Sequence, residues 1–284
     1  MVRESELITS RRNARIVELR KLDQRKYRME GQRFRVEGLQ LLHMALDAGA
    51  RPLDVVYCRG QFTGKEASRV LHRLQQAGGD SVEVSADVMQ SISEREKCQG
   101  LIATFPLLGV PCRALNVTGN SLVVVLDRLQ DPGNVGTLIR TADAVGATAV
   151  VLLEPCVDVF DPKTARASMG SIFNLAIVQA GDVEDLFGCL SGKRLRVVGA
   201  DAQEGVLWGE GVLQGATALV IGNEARGISA DVRDHVQAWA RLPIVGKAES
   251  LNVAVAGGVL MYRWLHEDSR RREHRGQHPG HYAQ

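Results

Sequence analysis

Hydrophobic positions in the first third of the chain alternate between helical and strand-like spacing. In "RFRVEGLQLLHMALDAG" the apolar residues from Val36 to Leu46 recur every three to four positions, which predicts one helix that ends at Gly49. "GKEASRVLHRLQQAG" predicts a second helix in the same way. Three short apolar runs predict strands: 53–58, 81–84 and 100–105. This part of the chain therefore predicts a small α/β unit that closes near residue 106.

Beyond residue 120 the pattern changes to near-continuous runs of Val, Leu and Ile that alternate with helical segments. Strands are expected at 121–127, 147–153, 195–200, 217–221 and 239–244. Helices are expected around 135–146, 184–190, 229–238 and 251–266. Strands that are apolar on both faces and alternate with helices indicate a parallel sheet covered on both sides. The fold class is therefore α/β.

Changes in composition suggest where the domains begin and end. Residues 106–120 combine prolines, glycines and polar residues, which is typical of a connecting segment. We expect five parts: a basic N-terminal arm at 1–30, a small α/β domain at 31–110, a linker at 111–120, a second domain at 121–266 and a disordered tail at 267–284. Four histidines lie at or beyond residue 266, where disorder and metal binding are both open interpretations.

The net charge of +2 conceals an uneven distribution. Residues 1–35 carry 11 Lys and Arg against 5 Asp and Glu, and residues 263–284 carry 5 against 3. The ends are therefore basic and the body is acidic. Clustered positive charge at the N-terminal arm suits contact with a polyanion such as RNA, because it displaces counterions from phosphates. An amphipathic, solvated helix at 14–28 explains the same charges, and charge alone leaves both interpretations open.

Composition excludes several classes of protein. With 284 residues and 45% hydrophobic residues the chain has material for two ordinary cores. No apolar run approaches the roughly 20 residues that cross a bilayer, and the N-terminus lacks the apolar core of a signal peptide, so a cytoplasmic location is expected. Five cysteines argue against both a disulfide framework and a zinc site and are interpreted as buried or incidental thiols: Cys58, Cys98, Cys112, Cys156 and Cys189.

Three loops follow predicted strands and are rich in Gly, Asn or Ser. Open parallel sheets bind ligands where loops leave the carboxyl ends of strands, so the loops after 127, 221 and 244 are the candidate sites. The first, "DPGNVG", lacks the G-x-G-x-x-G spacing that lets a backbone approach a pyrophosphate. A dinucleotide-binding Rossmann fold is therefore disfavoured.

Taken one at a time, the polar residues of these loops have simple structural explanations. Arg140 lies off the apolar stripe of its helix and is explained as a solvated or ion-paired residue. Asn134 is explained as a helix N-cap, and so is Ser250. Asn252 is then a first-turn residue of the last helix. None of these residues establishes chemistry alone.

Taken together, the three loops resemble the signature motifs of the SpoU (TrmH-type) branch of the SPOUT RNA methyltransferases. "DPGNVGTLIRTADAVGA" resembles motif 1, "VIGNEARGIS" motif 2 and "LPIVGKAESLNVAVAGGVLMY" motif 3, in the family's order. "DPKTARASMGSIF" also fits. "RRNARIVELRKL", "FRVEGLQLLHMAL" and "CQGLIATF" resemble the N-terminal substrate-binding domain of many members. The resemblance covers nearly the whole chain except the tail.

The resemblance implies a C-terminal SPOUT domain with a parallel sheet and a deep trefoil knot. It implies a homodimer that binds S-adenosylmethionine and methylates a ribose 2′-hydroxyl of RNA, with each site completed across the interface. The catalytic residues implied are Arg140, Asn134, Glu224, Ser250 and Asn252. The cofactor residues implied are Ala200, Ile221, Gly222, Asn223, Leu242, Ile244 and Leu251. RNA contacts are expected from Arg11, Arg12, Asn13, Arg33, Arg35 and Glu37.

The chemistry limits what Arg140 does. A guanidinium with a pKa above ~12 is almost never neutral, so a role as general base is disfavoured. Arg140 is expected to hold an RNA phosphate and favour an alkoxide by its charge, with the phosphate or Glu224 taking the proton. Ribosomal RNA is the expected substrate, with transfer RNA as the alternative. A non-catalytic RNA-binding protein on the same scaffold is a further alternative, and the intact motif residues argue against it.

Overall fold

A computed structural model describes residues 7–95 and 97–274, which form two compact units. The first unit contains the residues up to Leu108 together with Asp158–Asn174. The second contains Gly109–Val157 and the residues from Leu175 onward. The sequence predicted one uninterrupted second domain over 121–266, whereas Asp158–Asn174 packs with the first unit. The chain therefore crosses between the units three times.

The first unit contains a four-stranded sheet with strand order β1-β4-β2-β3. The strands are β1 (Arg33–Glu37), β2 (Asp54–Tyr57), β3 (Asp80–Glu83) and β4 (Leu101–Pro106). The helices are α1 (Ala14–Lys21), α2 (Arg25–Gly31), α3 (Leu39–Asp47), α4 (Glu66–Gln76), α5 (Ala86–Ile92) and α7 (Pro162–Ala167). Pairing is parallel between β2 and β3 and antiparallel elsewhere. The three strands predicted from sequence are confirmed, each within about two residues.

The segment 33–49, predicted as one helix, is a strand followed by a helix. Gly38 has φ +116°, a conformation that side chains with a Cβ rarely adopt, and it separates β1 from α3. On the strand side, Arg33–Glu37 pairs with β4 from Arg33 opposite Pro106 to Glu37 opposite Ile102. The prediction was wrong over 33–37 because Val36 fits the helical spacing while its neighbours pair across the sheet.

A buried ion pair holds the segment 158–174 within the first unit. The Arg28 side chain, on α2, is 2% exposed and donates to Asp158 through both Nε (3.0 Å) and Nη2 (2.7 Å). Its Nη1 donates to the carbonyl of Leu22 at 2.7 Å. A buried charge is costly unless it is paired and hydrogen-bonded, and Arg28 meets both conditions. Removing Arg28 would leave the buried Asp158 carboxylate without this partner, whereas Arg28 has a second carboxylate, Asp161, at 3.7 Å.

The second unit contains a seven-stranded sheet, and every strand pair in it is parallel. The strand order is β7-β6-β5-β10-β8-β11-β9. The strands are β5 (Leu122–Asp127), β6 (Ala149–Leu153), β7 (Ala176–Ala180), β8 (Arg196–Ala200), β9 (Val206–Leu207), β10 (Thr217–Ile221) and β11 (Ala238–Arg241). The parallel α/β architecture predicted from the apolar runs is confirmed.

Helices cover both faces of this sheet. The helices are α6 (Pro132–Ala144), α8 (Val183–Gly192), α9 (Ala230–Arg233) and α10 (Val253–His274). Leu186, Phe187 and Val232 of α8 and α9 pack in one core with Val123 and Val125 of the central strand β5. Helices α6 and α10 contact each other and pack on β6 and β10. Alternate residues of each strand therefore face opposite helix layers, which explains the continuous apolar runs.

The last helix is longer than the sequence predicted. It continues to His274, whereas helix was expected only to 266 and disorder from 267. Glu267 and Asp268 are buried, and Glu267 accepts hydrogen bonds from Arg263 Nε (3.0 Å) and from the backbone of Gly211 (3.2 Å). These contacts extend the helix past the apolar pattern. Residues 275–284 of the expected tail lie outside the described residues.

One pair of cysteines contradicts the interpretation that all five are free thiols. Cys112 and Cys189 form a disulfide with Cα atoms 6.5 Å apart. They are 77 positions apart in the chain, and the turn around Cys112 packs against α8, which carries Cys189. Sequence spacing cannot show such a contact. Cys58, Cys98 and Cys156 are free.

None of the helices in the described part of the chain combines the length and the apolar run that crossing a membrane requires.

Candidate active site

A cleft of about 570 Å³ lies in the second unit, where the turns after three neighbouring strands meet. Strands β10, β8 and β11 are adjacent in the sheet, so their carboxyl ends lie side by side. The turns that follow them form one wall and the start of α10 forms the other. We call this space the three-loop cleft. A volume of this size is within the range of roughly 300–1,000 Å³ that small-molecule sites occupy.

All seven residues predicted to bind a cofactor line the three-loop cleft. They are Ala200, Ile221, Gly222, Asn223, Leu242, Ile244 and Leu251. Three of the five predicted catalytic residues line it as well: Glu224, Ser250 and Asn252. Sequence reasoning missed the turn after β8, which contributes Asp201, Ala202, Gln203 and Glu204. The rule that ligands bind at the carboxyl ends of strands applies to β8 too and would have identified this turn.

The turn after β10 is held in place by its own side chains. The Asn223 amide oxygen accepts from the backbone of Ala225 (3.0 Å) and Arg226 (3.2 Å), and its amide nitrogen donates to the carbonyl of Arg128 (2.9 Å). A Cβ on Gly222 would lie 2.3 Å from the backbone of Gly227, so only glycine fits there. The polar atoms of the Asn223 side chain therefore stabilise the turn. Asn223 also forms part of the cleft wall.

The buried carboxylate of Asp127 anchors the far end of the same turn. One oxygen, Oδ2, accepts from the Ser229 backbone at 2.7 Å and from the Ser229 hydroxyl at 2.8 Å. Asp127 ends β5, so these bonds join the end of β5 to the start of α9, 102 positions away in the chain. The turn that carries Glu224 is consequently fixed at both of its ends.

Asn134, Glu224 and Asn252 form a chain of hydrogen bonds that joins the loops after β5, β10 and β11. The Asn134 amide nitrogen donates to Glu224 Oε1 at 3.0 Å. The Asn134 amide oxygen accepts from the Asn252 amide nitrogen at 3.1 Å. The structure thus brings together three predicted catalytic residues that are up to 118 positions apart in the chain.

The helix caps differ from those predicted. Asp131 caps α6, because its carboxylate accepts from the backbone of Asn134 at 2.7 Å. Asn134 lies inside the first turn, which leaves its side chain available for Glu224. At α10 the cap is Asn252, whose amide oxygen accepts from Ala254 (2.9 Å) and Val255 (3.2 Å). The predicted cap roles of Asn134 and Ser250 were therefore wrong.

Ser250 and Arg140, the other two predicted catalytic residues, take no part in the hydrogen bonds between Asn134, Glu224 and Asn252. Ser250 lines the cleft, and its hydroxyl has no hydrogen-bond partner among the described residues. Arg140 is exposed on α6 and is absent from the cleft lining. Within residues 7–95 and 97–274 it has neither a hydrogen bond nor an ion pair. A single chain therefore does not place Arg140 among the residues that line the cleft.

Acidic side chains surround the cleft, and one arginine fixes two of them. Arg233 Nη2 donates to Glu204 at 2.9 Å, and Nη1 lies 3.7 Å from Asp201. The guanidinium stacks over the Trp239 ring, 4.3 Å from its centroid. Together with Glu224, these carboxylates give the cleft a negative rim that suits a cationic ligand.

The cleft region offers no thiolate nucleophile among the described residues, and these contain no cluster of His, Cys, Asp or Glu that could hold a metal ion. Cys156 is the nearby free cysteine, and burial raises the pKa of its thiol to about 12. At neutral pH this thiol is protonated and chemically inert.

The residues predicted to bind RNA lie in the first unit, and their surroundings differ. Arg12 is exposed, and Arg11 is exposed and paired with Asp87. The Asn13 side chain caps α1 by accepting from Arg15, and Arg33 donates to Asp54 at 2.8 Å.

Arg35 and Glu37 have structural roles in this unit. Arg35 is 3% exposed, its Nε lies 2.6 Å from Asp23, and its guanidinium donates to Glu94 and to the Ile92 carbonyl. Glu37 accepts from the Glu94 backbone at 2.9 Å and from the Ser93 hydroxyl. The structure argues against the prediction that Arg35 contacts RNA, because its guanidinium is buried and is held by Ile92, Glu94 and Asp23.

Comparison with known proteins agrees with this geometry. Residues 121–262 match the SpoU rRNA Methylase family, and residues 13–103 match the MRM3-like substrate binding domain. The chain is 31% identical over 255 residues to the 23S rRNA (guanosine(2553)-2′-O)-methyltransferase RlmP of Bacillus subtilis. This alignment covers 90% of this chain and 97% of that protein. It is 29% identical over 262 residues to a 23S rRNA (uridine(2479)-2′-O)-methyltransferase of Streptomyces viridochromogenes, with 90% of each covered.

Solved structures that are similar to this chain are also rRNA or SpoU methyltransferases. An AdoMet-bound rRNA methyltransferase from Sinorhizobium meliloti has a TM-score of 0.83 and 32% identity, over 95% of this chain and 98% of that one. The SpoU methyltransferase AviRb from Streptomyces viridochromogenes, in complex with AdoMet, has a TM-score of 0.80 and 26% identity, over 92% and 100%. The chain belongs to the SpoU rRNA methylase family.

Proposed function

We propose that this protein transfers a methyl group from S-adenosylmethionine to a ribose 2′-hydroxyl of 23S ribosomal RNA. We propose that it acts in the cytoplasm as a homodimer whose C-terminal domain forms a deep trefoil knot. The observation that carries the proposal is the series of hydrogen bonds between Asn134, Glu224 and Asn252, which joins the loops after β5, β10 and β11 beside the cleft that Glu224 and Asn252 line. Relatives that act on 23S rRNA support the substrate class, and they modify different nucleotides, so the target position is left open.

The three-loop cleft fits the cofactor in both shape and charge. Apolar side chains of Ile221, Leu242 and Ile244 offer a surface for the adenine ring, and the acidic rim complements a sulfonium and an ammonium group. When bound, S-adenosylmethionine supplies a methyl group on a positively charged sulfur, ready for in-line displacement. What this chain must supply is alignment of the ribose hydroxyl and removal of its proton.

Glu224 is the proton acceptor that we propose. It lies in the cleft wall, its Oε1 is held by Asn134 at 3.0 Å, and Asn134 is itself held by Asn252. This arrangement fixes one carboxylate oxygen and leaves the other available to a substrate hydroxyl. Asn252 also caps α10, so its orientation is fixed by the helix. Ser250, with a hydroxyl that has no described partner, is proposed to donate to the ribose.

Arg140 is proposed to act on the cleft of the partner subunit. It is exposed and has no ion-pair partner among the described residues, which suits a side chain that binds an RNA phosphate. Its permanent charge favours the alkoxide that forms as the 2′-hydroxyl loses its proton. Since the same chain does not bring Arg140 to its own cleft, a site shared between two subunits accounts for its position.

An apolar stripe on α10 supports the homodimer. Val255, Val259 and Tyr262 recur at spacings of four and three residues, so they lie on one face of the helix, and Leu251 precedes them just before α10. The exposed fractions of Leu251, Val255, Val259 and Tyr262 are 40%, 53%, 37% and 53%, whereas Leu260 and Trp264 on the opposite side of the helix are buried. Exposed large apolar residues in a row are typical of an interface. The stripe begins at the cleft, which is where a shared site requires the partner.

The strand order supports the knot. Strand β10 lies between β5 and β8 in the sheet. The chain therefore returns to the middle of the sheet after it has passed through β8 and the edge strand β9. The turn after β10 and the loop after β11 then meet at the cleft. A ligand in the cleft would contact both segments, so its binding would depend on the knotted path of the chain.

The proposal is tested by methyl transfer from labelled S-adenosylmethionine to 23S rRNA transcribed in vitro, which carries no modification. Wild-type protein is expected to incorporate about one methyl group per RNA molecule. The same assay with transfer RNA is expected to show none. Incorporation into transfer RNA alone would overturn the substrate assignment, and absence of incorporation into any RNA would overturn the proposed activity.

A further inference from the structure

A second cavity lies in the first unit, between α1 and one face of the four-stranded sheet. Its volume is about 280 Å³. Protein interiors contain few voids larger than a water molecule, whose share of liquid volume is roughly 30 Å³. The space beneath α1 is therefore too large to be an ordinary packing gap. None of its lining residues belongs to the three loops of the cleft.

The inner part of this cavity is apolar and its outer part is polar. Leu19 and Leu22 of α1 face Val56 and Val82 of the sheet, and all four are buried. The polar lining residues are Arg15, Glu18, Arg33, Asp54 and Thr104. Apolar walls with a few convergent polar groups are typical of a site for a flat, partly polar molecule.

The hydrogen bonds at the rim leave capacity for a ligand. Asp54 Oδ2 accepts from Arg33 Nη1 and from the Thr104 hydroxyl, each at 2.8 Å. Its other oxygen, Oδ1, lies 3.8 Å from Arg15 Nη2, which is longer than a hydrogen bond. Asp54 Oδ1 can therefore accept from a ligand. Arg15 donates to Asp80 and Arg33 donates to Asp54, but a guanidinium has five N–H donors, so both arginines retain free donors.

The position of the cavity connects it with RNA. Arg15 and Ala14 begin α1, directly after the basic residues Arg11 and Arg12. Arg12 is exposed, so a phosphate can bind at the mouth of the cavity. Proteins read RNA sequence mainly through unpaired bases, because the base edges in an A-form duplex are out of reach.

We infer that the cavity beneath α1 binds an unpaired guanine base of the RNA substrate. Guanine offers an N–H donor to Asp54 Oδ1 and two adjacent acceptors, O6 and N7, to Arg15 or Arg33. The aliphatic residues Leu19 and Val56 contact its faces. The inference rests on the proposed function in that RNA is the ligand, and it adds a base-reading site outside the methyl-transfer cleft.

The first test uses the four mononucleotides on full-length protein with labelled Leu and Val methyl groups, in excess S-adenosylhomocysteine. GMP at millimolar concentration is expected to shift the methyl signals of Leu19, Leu22, Val56 and Val82, and AMP, CMP and UMP to shift them less. Unchanged signals with GMP would overturn the inference. Equal shifts with all four nucleotides would contradict the preference for guanine.

The second test blocks the cavity. Ala14 is exposed and lines the cavity, so Ala14→Phe closes its mouth without disturbing the core. The KM for 23S rRNA is expected to rise at least about tenfold, with kcat and the KM for S-adenosylmethionine unchanged. Ala48→Phe is the matched control, an exposed alanine that does not line the cavity. Its KM is expected to match the wild type.

Two results would contradict the inference: an unchanged KM in Ala14→Phe, or an equal rise in Ala48→Phe. Circular dichroism melting of both variants establishes that they fold. If the wild type transferred no methyl group, the proposed function would fail, while the mononucleotide titration would still decide what the cavity binds.

Discussion

Glu224 and Asn134 depend on each other at the scale of single residues. Asn134 holds one oxygen of the Glu224 carboxylate at 3.0 Å and is itself held by Asn252 at 3.1 Å. If Glu224 accepts the ribose proton, Glu224→Gln keeps the shape and removes the base. We expect kcat to fall about 100-fold or more, with little change in the KM for S-adenosylmethionine. The measurement is the initial rate of methyl transfer as a function of pH.

The pH profile separates a proton acceptor from a turn residue. In the wild type the rate is expected to rise from acidic pH as the base becomes ionised, and in Glu224→Gln this rise disappears. A variant that is slow but keeps the rise would contradict the assignment of Glu224 as base. Glu249→Gln serves as the control, because Glu249 is an exposed acid of the loop after β11 that does not line the cleft.

Single residues also show what sequence can and cannot predict. The resemblance to known motifs named seven residues that all line the three-loop cleft, and six of them lie at or shortly after the carboxyl end of a strand. The contact between Asn134 and Glu224 could not be predicted, because it joins residues 90 positions apart. Arg35 was misassigned for a related reason: a basic residue in a strand gives no sign of which side of the sheet it faces. Its burial became clear only from Asp23, Ile92 and Glu94 around it.

At the scale of elements, the approach of α10 to the sheet explains one glycine. A Cβ on Gly257 would lie 2.6 Å from both Ile221 Cδ1 and Leu138 Cδ2, whereas a Cβ on Gly258 would meet only Thr141 at 3.7 Å. Alanine at either position favours the helix, but at 257 it overfills the packed interface. We expect Gly257→Ala to be less stable than Gly258→Ala by about 1–3 kcal/mol. Urea unfolding of both variants measures the difference.

Equal stability of the two variants would contradict the close packing of α10 on β10 and α6. Gly257 also lines the three-loop cleft, so its variant is expected to bind S-adenosylmethionine more weakly. Gly258 is absent from the lining and gives the control for that measurement.

Elements were predicted well where periodicity was unambiguous. Strands β5, β6, β8 and β10 were found within two residues because buried parallel strands are apolar throughout. The helix expected at 229–238 is only Ala230–Arg233, and residues 234–237 form the turn that leads into β11 (Ala238–Arg241). Strand β7 was missed because its tertiary pairing with β6, rather than its own short pattern, makes it a strand. Such pairing depends on which strands the tertiary fold makes neighbours, and the local sequence does not contain that information.

At the scale of the whole molecule, the proposed dimer predicts the effect of a charge on the α10 stripe. Val255 is 53% exposed and central in the stripe. Val255→Glu would bury a carboxylate in the apolar interface, so we expect a shift from dimer to monomer and a parallel loss of activity. Light scattering during size-exclusion chromatography measures the mass. Val206→Glu, at an exposed valine of β9 that lies outside α10, is expected to stay dimeric.

A monomeric wild type would contradict the dimer, and so would a dimeric, fully active Val255→Glu.

A shared site predicts that two inactive variants restore each other. Arg140→Ala and Glu224→Gln are each expected to be nearly inactive as homodimers. In a mixed dimer one cleft has an intact Glu224 and receives an intact Arg140 from the partner. After denaturation and refolding of an equal mixture, we expect about a quarter of the wild-type rate, since half of the dimers are mixed and each has one complete site. No recovery in dimers shown to be mixed would place Arg140 and Glu224 of the same chain in one site.

The most direct measurement is the identity of the methylated nucleoside. Unmodified 23S rRNA is incubated with the protein and methyl-labelled S-adenosylmethionine, then digested to nucleosides and separated with 2′-O-methyl and base-methyl standards. The account predicts that the label elutes with a single 2′-O-methylnucleoside and that Glu224→Gln lowers its yield at least about 100-fold. Label that elutes with a base-methylated nucleoside would contradict the account.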